Sequence, residues 1–374
     1  MALVNDNTIR LMMMKYVVFA LVFICHYGYA SLPEQWWDAP YPAQFDAKQL
    51  KPQSKITVSG NTFVDENSDV FAFRGVSIAD PDKLKQQGKW SKALFGEVAN
   101  WGANSIRIPI HPGVFAMRGA DFYISAIDDA VLWANELGLY LIIDWHSIGN
   151  LQADLYQHPM YDTSREQTLN FWKQIAFRYQ HVPTVAVYEL FNEPTNDYIG
   201  NGANSLGYMT WSKWQSMMTE LIDLIRQYDN NKVLLVAGFN WAYDLTSVRH
   251  MPIQRENIAY AVHPYPQKAK PTVKSKENFF MLWDKGWGFV AKKAPMIATE
   301  IGWSNENAPG AHVPTINNDG SYGPQIIEYL EEHGISWTAW VFDPQWAPQM
   351  IKDWDYTPTE QGHFFKKEML KHKK

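Results

Sequence analysis

Between residues 71 and 343 the chain repeats one alternation: a short apolar run rich in β-branched and aromatic residues, then a stretch of helical length. The apolar runs are FAFRGVS (71–77), NSIRIPI (104–110), LYLIIDWH (139–146), VAVYELFNEP (185–194), KVLLVAGFN (232–240), NIAYAVHPY (257–265), PMIATEIGW (295–303) and SWTAWVFD (336–343). Stretches between them, such as ISAIDDAVLWANELG and WSKWQSMMTELIDLIRQY, carry apolar residues three and four apart, as one face of a helix requires. Strands alternating with helices form a parallel α/β sheet, and roughly eight such units in about 250–300 residues close into a single (β/α)8 TIM barrel. A doubly wound open sheet is the competing architecture, but FRGVSIADPDKL after the first run lacks the G-x-G-x-x-G phosphate loop. Upstream, ITVSGNTFVDENSDVFAFRG reads as two short strands about a polar turn, an N-terminal β-hairpin closing the bottom of the barrel.

The first thirty residues follow a different logic. RLMMMKYVVFALVFICHYGYA places Arg10 and Lys15 before an apolar run at 16–25, then Gly28 and Ala30 before Ser31, the order of a secretory signal peptide over 1–30. The run is shorter than the about 20 residues that span a bilayer. The expectation is a secreted protein, extracellular or periplasmic, with no stable membrane association after cleavage. Cys25 is the only cysteine and lies inside this segment, so the mature chain has no thiol for disulfides or cysteine chemistry. Residues 31–53, rich in proline and aromatics, read as an irregular leader. No repeat or low-complexity linker divides the rest, so 31–374 is read as one catalytic domain with its barrel core at about 71–370.

A net charge of −6 gives no electrostatic reason to expect nucleic acid, whose binding needs clustered Lys and Arg. The 17 tryptophans exceed what a core of this size needs, and flat, rigid rings suit the apolar faces of sugars.

Active sites of such barrels stand at the C-terminal ends of the strands. There the second run carries Arg107 and is followed by His111; the third ends in Asp144, Trp145 and His146, and the fourth in Asn192 and Glu193. The sixth ends in His263 and Tyr265, the seventh carries Glu300 and Trp303, and the eighth Trp337 and Trp340. A lone glutamate at a strand end is ordinarily solvated or salt-bridged. Two, on the fourth and seventh strands, face each other across the mouth, as glycoside hydrolysis requires. With carboxyls roughly 5–5.5 Å apart, one protonates the leaving oxygen while the other attacks the anomeric carbon; at about 6.5–9.5 Å a water fits between and the configuration inverts. The sequence leaves that gap open. Pro194 biases Glu193 towards extended backbone, which aims it into the mouth. His146 and His263 also suit a metal-dependent hydrolase, but the first strand has no His-x-His pair and no two histidines share a ligand-like helical spacing. No metal or other cofactor is therefore expected.

VYELFNEP, AVHPY, IATEIGW and WTAWVFD, in this order, resemble glycoside hydrolase family 5, the cellulase-type group of retaining (β/α)8 glycosidases, over residues 71–343. The resemblance implies Glu193 as general acid/base and Glu300 as nucleophile, supported by Arg107, His146, Asn192, His263, Tyr265 and Trp340, with a cis peptide after Trp340. Arg107 and Tyr265 would favour the charged form of Glu300. Asn192 would donate to the sugar 2-hydroxyl and Trp340 would floor the reacting ring. His111, standing where the family often has an aromatic, and Trp303 are further substrate contacts, and TEIGW departs from the more usual TEWG. Long loops after the third, fourth, seventh and eighth strands would wall the cleft, with Tyr156, Tyr198, Trp241, Trp303, Trp346 and Trp354 as candidate platforms. The implied activity is a secreted endo-β-glycanase, first an endo-β-1,4-glucanase, working as a monomer on β-linked polysaccharide or oligosaccharide. Mannan-, xyloglucan- or exo-acting members of the same family, and a non-catalytic carbohydrate-binding protein on a hydrolase scaffold, are the alternatives.

Overall fold

Apolar runs dense in Val, Ile and aromatic residues favour a pleated, buried backbone, and a computed structural model, describing residues 46–196, 208–304 and 322–373, places a strand on each of them. In chain order the strands are β1 (Thr57–Ser59), β2 (Thr62–Val64), β3 (Val70–Phe71), β4 (Arg74–Ile78), β5 (Ser105–Ile110), β6 (Tyr140–Trp145), β7 (Ile148–Asn150), β8 (Leu155–Tyr156), β9 (Val185–Glu189), β10 (Glu193–Pro194), β11 (Val233–Ala237), β12 (Ile258–Val262), β13 (Met296–Ile301) and β14 (Ser336–Phe342). Eight of them close a barrel in the order β4-β5-β6-β9-β11-β12-β13-β14, with β14 paired back onto β4 and every pair parallel. Helices between them bury one face each. In Trp211–Arg226, capped by the Thr210 side chain, Trp214, Met218, Leu221, Ile222 and Ile225 turn inward. Helix Ala120–Leu137 stops at Gly138, whose φ of 73° is the left-handed end that glycine accommodates.

The N-terminal element departs from expectation in detail. It is a three-stranded antiparallel sheet, because Val70 and Phe71 pair with Val64 and Phe63 instead of opening the first barrel strand, which begins at Arg74. The turn that returns the chain is held by Asp65, whose Oδ1 accepts the amides of Asn67 and Asp69. The sheet does close the bottom: Ile56, Phe63 and Phe73 share one buried cluster with Ile142, Val187, Leu235, Ala261 and Ile297 from the barrel interior.

Side chains alternate across a strand, so the next inward position lies two residues further on. From Ile142, Val187, Ala261 and Ile297 that step leads to Asp144, Glu189, His263 and Thr299, all buried. The interior is therefore apolar below and charged above. No helix among the described residues is long and apolar enough to cross a membrane. The signal-peptide segment lies outside the described residues.

Candidate active site

Two irregularities bring the carboxylates together. Along β13 and β14 the pairing runs Ala298 with Trp337 and then Ile301 with Ala339, so β13 carries one extra residue. Strict alternation would turn Glu300 away from the interior once Thr299 points into it; the bulge lets both face inward. On the other side the chain leaves β9 and re-enters a small sheet above the rim, where β10 lies parallel to β7. The amides of Asn192, Glu193 and Thr195 donate to the carbonyls of Trp145 (3.1 Å), Ser147 (3.0 Å) and Gly149 (2.9 Å). Gly149 must be glycine, since a Cβ there would come within 2.3 Å of the Leu155 carbonyl oxygen. Glu193 is thus extended before Pro194, and one carboxylate oxygen from each of Glu193 and Glu300 and a ring nitrogen of His263 all lie within 4.8 Å of one another.

Arg107 is the hub beneath them. Its Nε and Nη2 donate to Glu189 (2.6 and 3.1 Å), Nη1 to Glu300 Oε1 (2.9 Å), and Nη2 also to Asn192 Oδ1 (2.6 Å), with Asp144 Oδ2 at 2.9 Å. Tyr265 donates its hydroxyl to Glu300 Oε2 (2.9 Å). Because Asn192 Oδ1 faces the guanidinium, its Nδ2 points the other way, buried and without a partner among the described residues. Burial lifts the Glu300 carboxyl above the ordinary range although His263 and Arg107 pull it down; Glu193 adds to the lift and Tyr265 opposes it. The two contacts expected to favour ionised Glu300 are present, but desolvation outweighs them.

His263 bridges the layers: Nδ1 lies 2.8 Å from Glu193 Oε1 and Nε2 lies 2.9 Å from Thr299 Oγ1. Burial works against its charge, yet Glu300, Glu189 and Glu193 together raise it to about 9. The trio Glu193, His263 and Glu300 has the atoms to ligate a divalent ion, but a metal needs neutral imidazole, and this ring is surrounded by carboxylates that favour imidazolium.

The wall and floor come from β5, β6 and β14. His146 lies parallel to Trp340, with ring centroids 5.3 Å apart and planes 1° from parallel, and its Nδ1 is 2.6 Å from Asp144 Oδ2. Burial holds His146 well below the usual histidine range, with His111 and Arg107 adding to the effect, so the ring is neutral; burial also lifts the Asp144 carboxyl well above its ordinary range, against the pull of Arg107. The Trp340–Val341 peptide is cis. His111 packs edge-on against His146 (4.7 Å) and Trp346 (5.3 Å), with Nδ1 2.8 Å from Asp80 Oδ2. Trp346 stacks beside Trp340 (6.1 Å, 15°); Asp343 Oδ1 accepts the Trp346 amide while Oδ2 takes the ammonium of Lys83.

Trp303 is a correction. Its ring packs against Tyr322, Phe364 and Phe365, between helices on the outside of the barrel, because the bulge that turns Glu300 inward sends the chain beyond it outward. It is buried among these side chains. Trp241 stands at the rim with φ of 55° and the Lys268 ammonium 4.6 Å over its ring. Tyr156 lies in β8, with its hydroxyl buried, and Trp354 packs edge-on against Tyr356 under Lys89. Tyr198 lies outside the described residues. Glu189, Thr299 and Asp80 escaped the sequence reading. For the first two a signal exists, since each continues the inward register of an apolar strand; Asp80, in a loop, carries none.

An eight-stranded parallel barrel whose top layer sets two carboxylates over one arginine and beside a tryptophan floor defines a glycoside hydrolase. The chain belongs to the cellulase family, glycosyl hydrolase family 5, whose profile it matches over residues 64–345. Its fold superposes with a TM-score of 0.86 on a β-glucanase from Saccharophagus degradans, with 57% identity over 91% of this chain and 100% of that one. That enzyme is also known in complex with cellotetraose. Among curated relatives, an endoglucanase of Paenibacillus polymyxa is 24% identical over 84% of this chain and 86% of its own length. Endoglucanase C of Evansella cellulosilytica is 26% identical over 77% of this chain, which spans 38% of that larger protein.

Proposed function

We propose that the protein is a secreted, retaining endo-β-glucanase that cuts β-1,4-linked glucan by double displacement. The observation that carries this reading is the carboxylate gap: one oxygen each of Glu193 and Glu300 within 4.8 Å suits direct attack better than the wider carboxyl spacing that an inverting enzyme needs for its water. Glu300 attacks the anomeric carbon while Glu193 gives its proton to the departing glycosidic oxygen. The glycosyl–Glu300 ester forms as that bond breaks. Glu193, now ionised, takes a proton from water, which attacks the same carbon and frees Glu300. Asn192 Nδ2, a buried donor with no partner among the described residues, would meet the 2-hydroxyl, a contact that strengthens in the oxocarbenium-like transition state. Neutral His146 offers Nε2 to the sugar, and Trp340 with Trp346 forms a stacking surface.

The names of the curated relatives support endo action on cellulose-type chains, and the cellotetraose complex of the 57% identical enzyme supports a β-glucan ligand. Export rests on the leader-like segment. The decisive experiment follows the anomeric form of the first products from soluble β-glucan by NMR, alongside a panel of carboxymethylcellulose, lichenan, glucomannan and galactomannan. Retention predicts β-anomer first; an initial α-anomer, or preference for the mannans, overturns the reading.

A further inference from the structure

Glu189 and Thr299 lie below the reacting groups and take no part in the steps above. They join to them through one buried line of contacts: Glu193 Oε1 to His263 Nδ1 (2.8 Å), His263 Nε2 to Thr299 Oγ1 (2.9 Å), and Thr299 Oγ1 to Glu189 Oε1 (2.8 Å). We infer that Thr299 and Glu189 are positioning residues that fix a proton on His263 Nε2, so that His263 Nδ1 and Glu193 share the proton used on the leaving group. This inference rests on Glu193 being the acid/base.

The direction of the line follows from what each group can donate. Glu189 is gripped by two Arg107 bonds; burial pushes its carboxyl up, but Arg107 and His263 bring it below the ordinary range. It is ionised, and a carboxylate only accepts. Thr299 has one hydroxyl proton, which is committed to Glu189, so the hydroxyl can only accept from Nε2. A bare Nε2 would set two lone pairs against each other across 2.9 Å in a buried site. Only Nδ1 is left to vary. Either Glu193 donates its acid proton to bare Nδ1, or Nδ1–H donates to the Glu193 carboxylate, and in both states the pair holds one proton 2.8 Å from end to end. The charged groups facing the ring favour keeping that proton. Glu193 and Glu300 stand on the Nδ1 side, with Glu300 Oε2 3.7 Å away, and Glu189 is 3.8 Å from Nε2. Tyr265, Arg107 and Asp144 lie behind these carboxylates.

Two substrates separate proton donation from the rest of catalysis: a cello-oligosaccharide, whose leaving hydroxyl needs a proton, and a dinitrophenyl β-cellobioside, whose phenolate does not. For Thr299→Val we expect kcat/KM on the oligosaccharide to fall about tenfold to a hundredfold, part of the general-acid contribution, and on the dinitrophenyl glycoside less than about threefold. The alkaline limb of the oligosaccharide profile should move to lower pH, because Nε2–H loses its acceptor and imidazolium its support. Thr299→Ser should restore both. Equal losses on the two substrates, or an unmoved limb, overturn the inference. Glu193→Ala is run alongside. If it fails to separate the substrates, the acid/base assignment falls and takes the relay with it; if it separates them while Thr299→Val does not, the relay alone falls. Should Thr299→Val not fold, nitrogen-15 NMR of His263 in the unaltered enzyme decides. A proton on Nε2 throughout the active pH range supports the relay, and a bare Nε2 overturns it.

Discussion

Arg107 Nη1 lies 2.9 Å from Glu300 Oε1, while the other guanidinium nitrogens hold Glu189 and Asp144, so a single cation faces three buried carboxylates. Removing it leaves those charges uncompensated in a dry interior. Arg107→Met should lower stability by about 3–5 kcal/mol, the usual penalty for breaking a buried ion pair from one side. Arg107→Lys should recover little, because an ammonium cannot reproduce the planar fork. Denaturant unfolding monitored by tryptophan fluorescence measures both.

Removing the reacting groups separates their roles. Glu300→Ala should abolish hydrolysis, and external azide should restore turnover by occupying the vacated space, giving a glycosyl azide of inverted configuration. Glu193→Gln should lower kcat on oligosaccharide by about 10²–10⁴-fold, the range for general acid catalysis. Full activity in either variant refutes the roles assigned here.

In the proposed mechanism Glu300 must be ionised to attack, and burial raises its carboxyl against the pull of His263 and Arg107. The acid limb of kcat/KM should therefore lie above the ordinary glutamate value of 4.5. Tyr265→Phe deletes a donor to the ionised form, so the limb should climb further. A profile taken on the dinitrophenyl substrate isolates this limb from the acid/base group.

Stability carries a second pH signature. His263 titrates at about 9 in the folded protein, against 6.5 for the unperturbed ring; burial opposes its charge, but Glu300, Glu189 and Glu193 prevail. A raised folded value means the stabilisation is complete below 6.5 and is lost as pH climbs through about 9. Denaturation midpoints should fall across that window, and His263→Gln should flatten the decline.

Two tryptophans that follow the ends of β13 and β14 should respond in opposite ways. Trp303→Ala empties a site packed by Tyr322, Phe364 and Phe365 and should cost about 3–5 kcal/mol of stability. Trp346→Ala removes a half-buried ring stacked beside Trp340. It should raise KM for oligosaccharide by about twofold to tenfold, the worth of one aromatic stacking contact, with little change in unfolding.

The barrel was legible because its strands advertise themselves twice, through apolar composition and through the helical spacing of the stretches between them. Glu193 and Glu300 were legible for another reason: each closes an apolar run where a core strand would end in a turn. Trp303 was misplaced because position along a run identifies a strand end, whereas the face a side chain takes depends on a bulge that pairing with β14 reveals. Glu189 was overlooked within the very run that led to Glu193, although Val185 and Val187 mark its register. The third strand of the N-terminal sheet was hidden by contiguity: Val70 and Phe71 run straight into the first barrel strand, and only their partners separate the two.

The sheet beneath the barrel reaches further than packing. With Phe63 and Ile56 stopping the narrow end, solvent meets the charged layer from one side only. Exchange of hydrogen ions between that layer and the surrounding medium must pass through the same opening the glycan uses. In the proposed cycle the attacking water enters by that opening too, and returns the proton that Glu193 gave away.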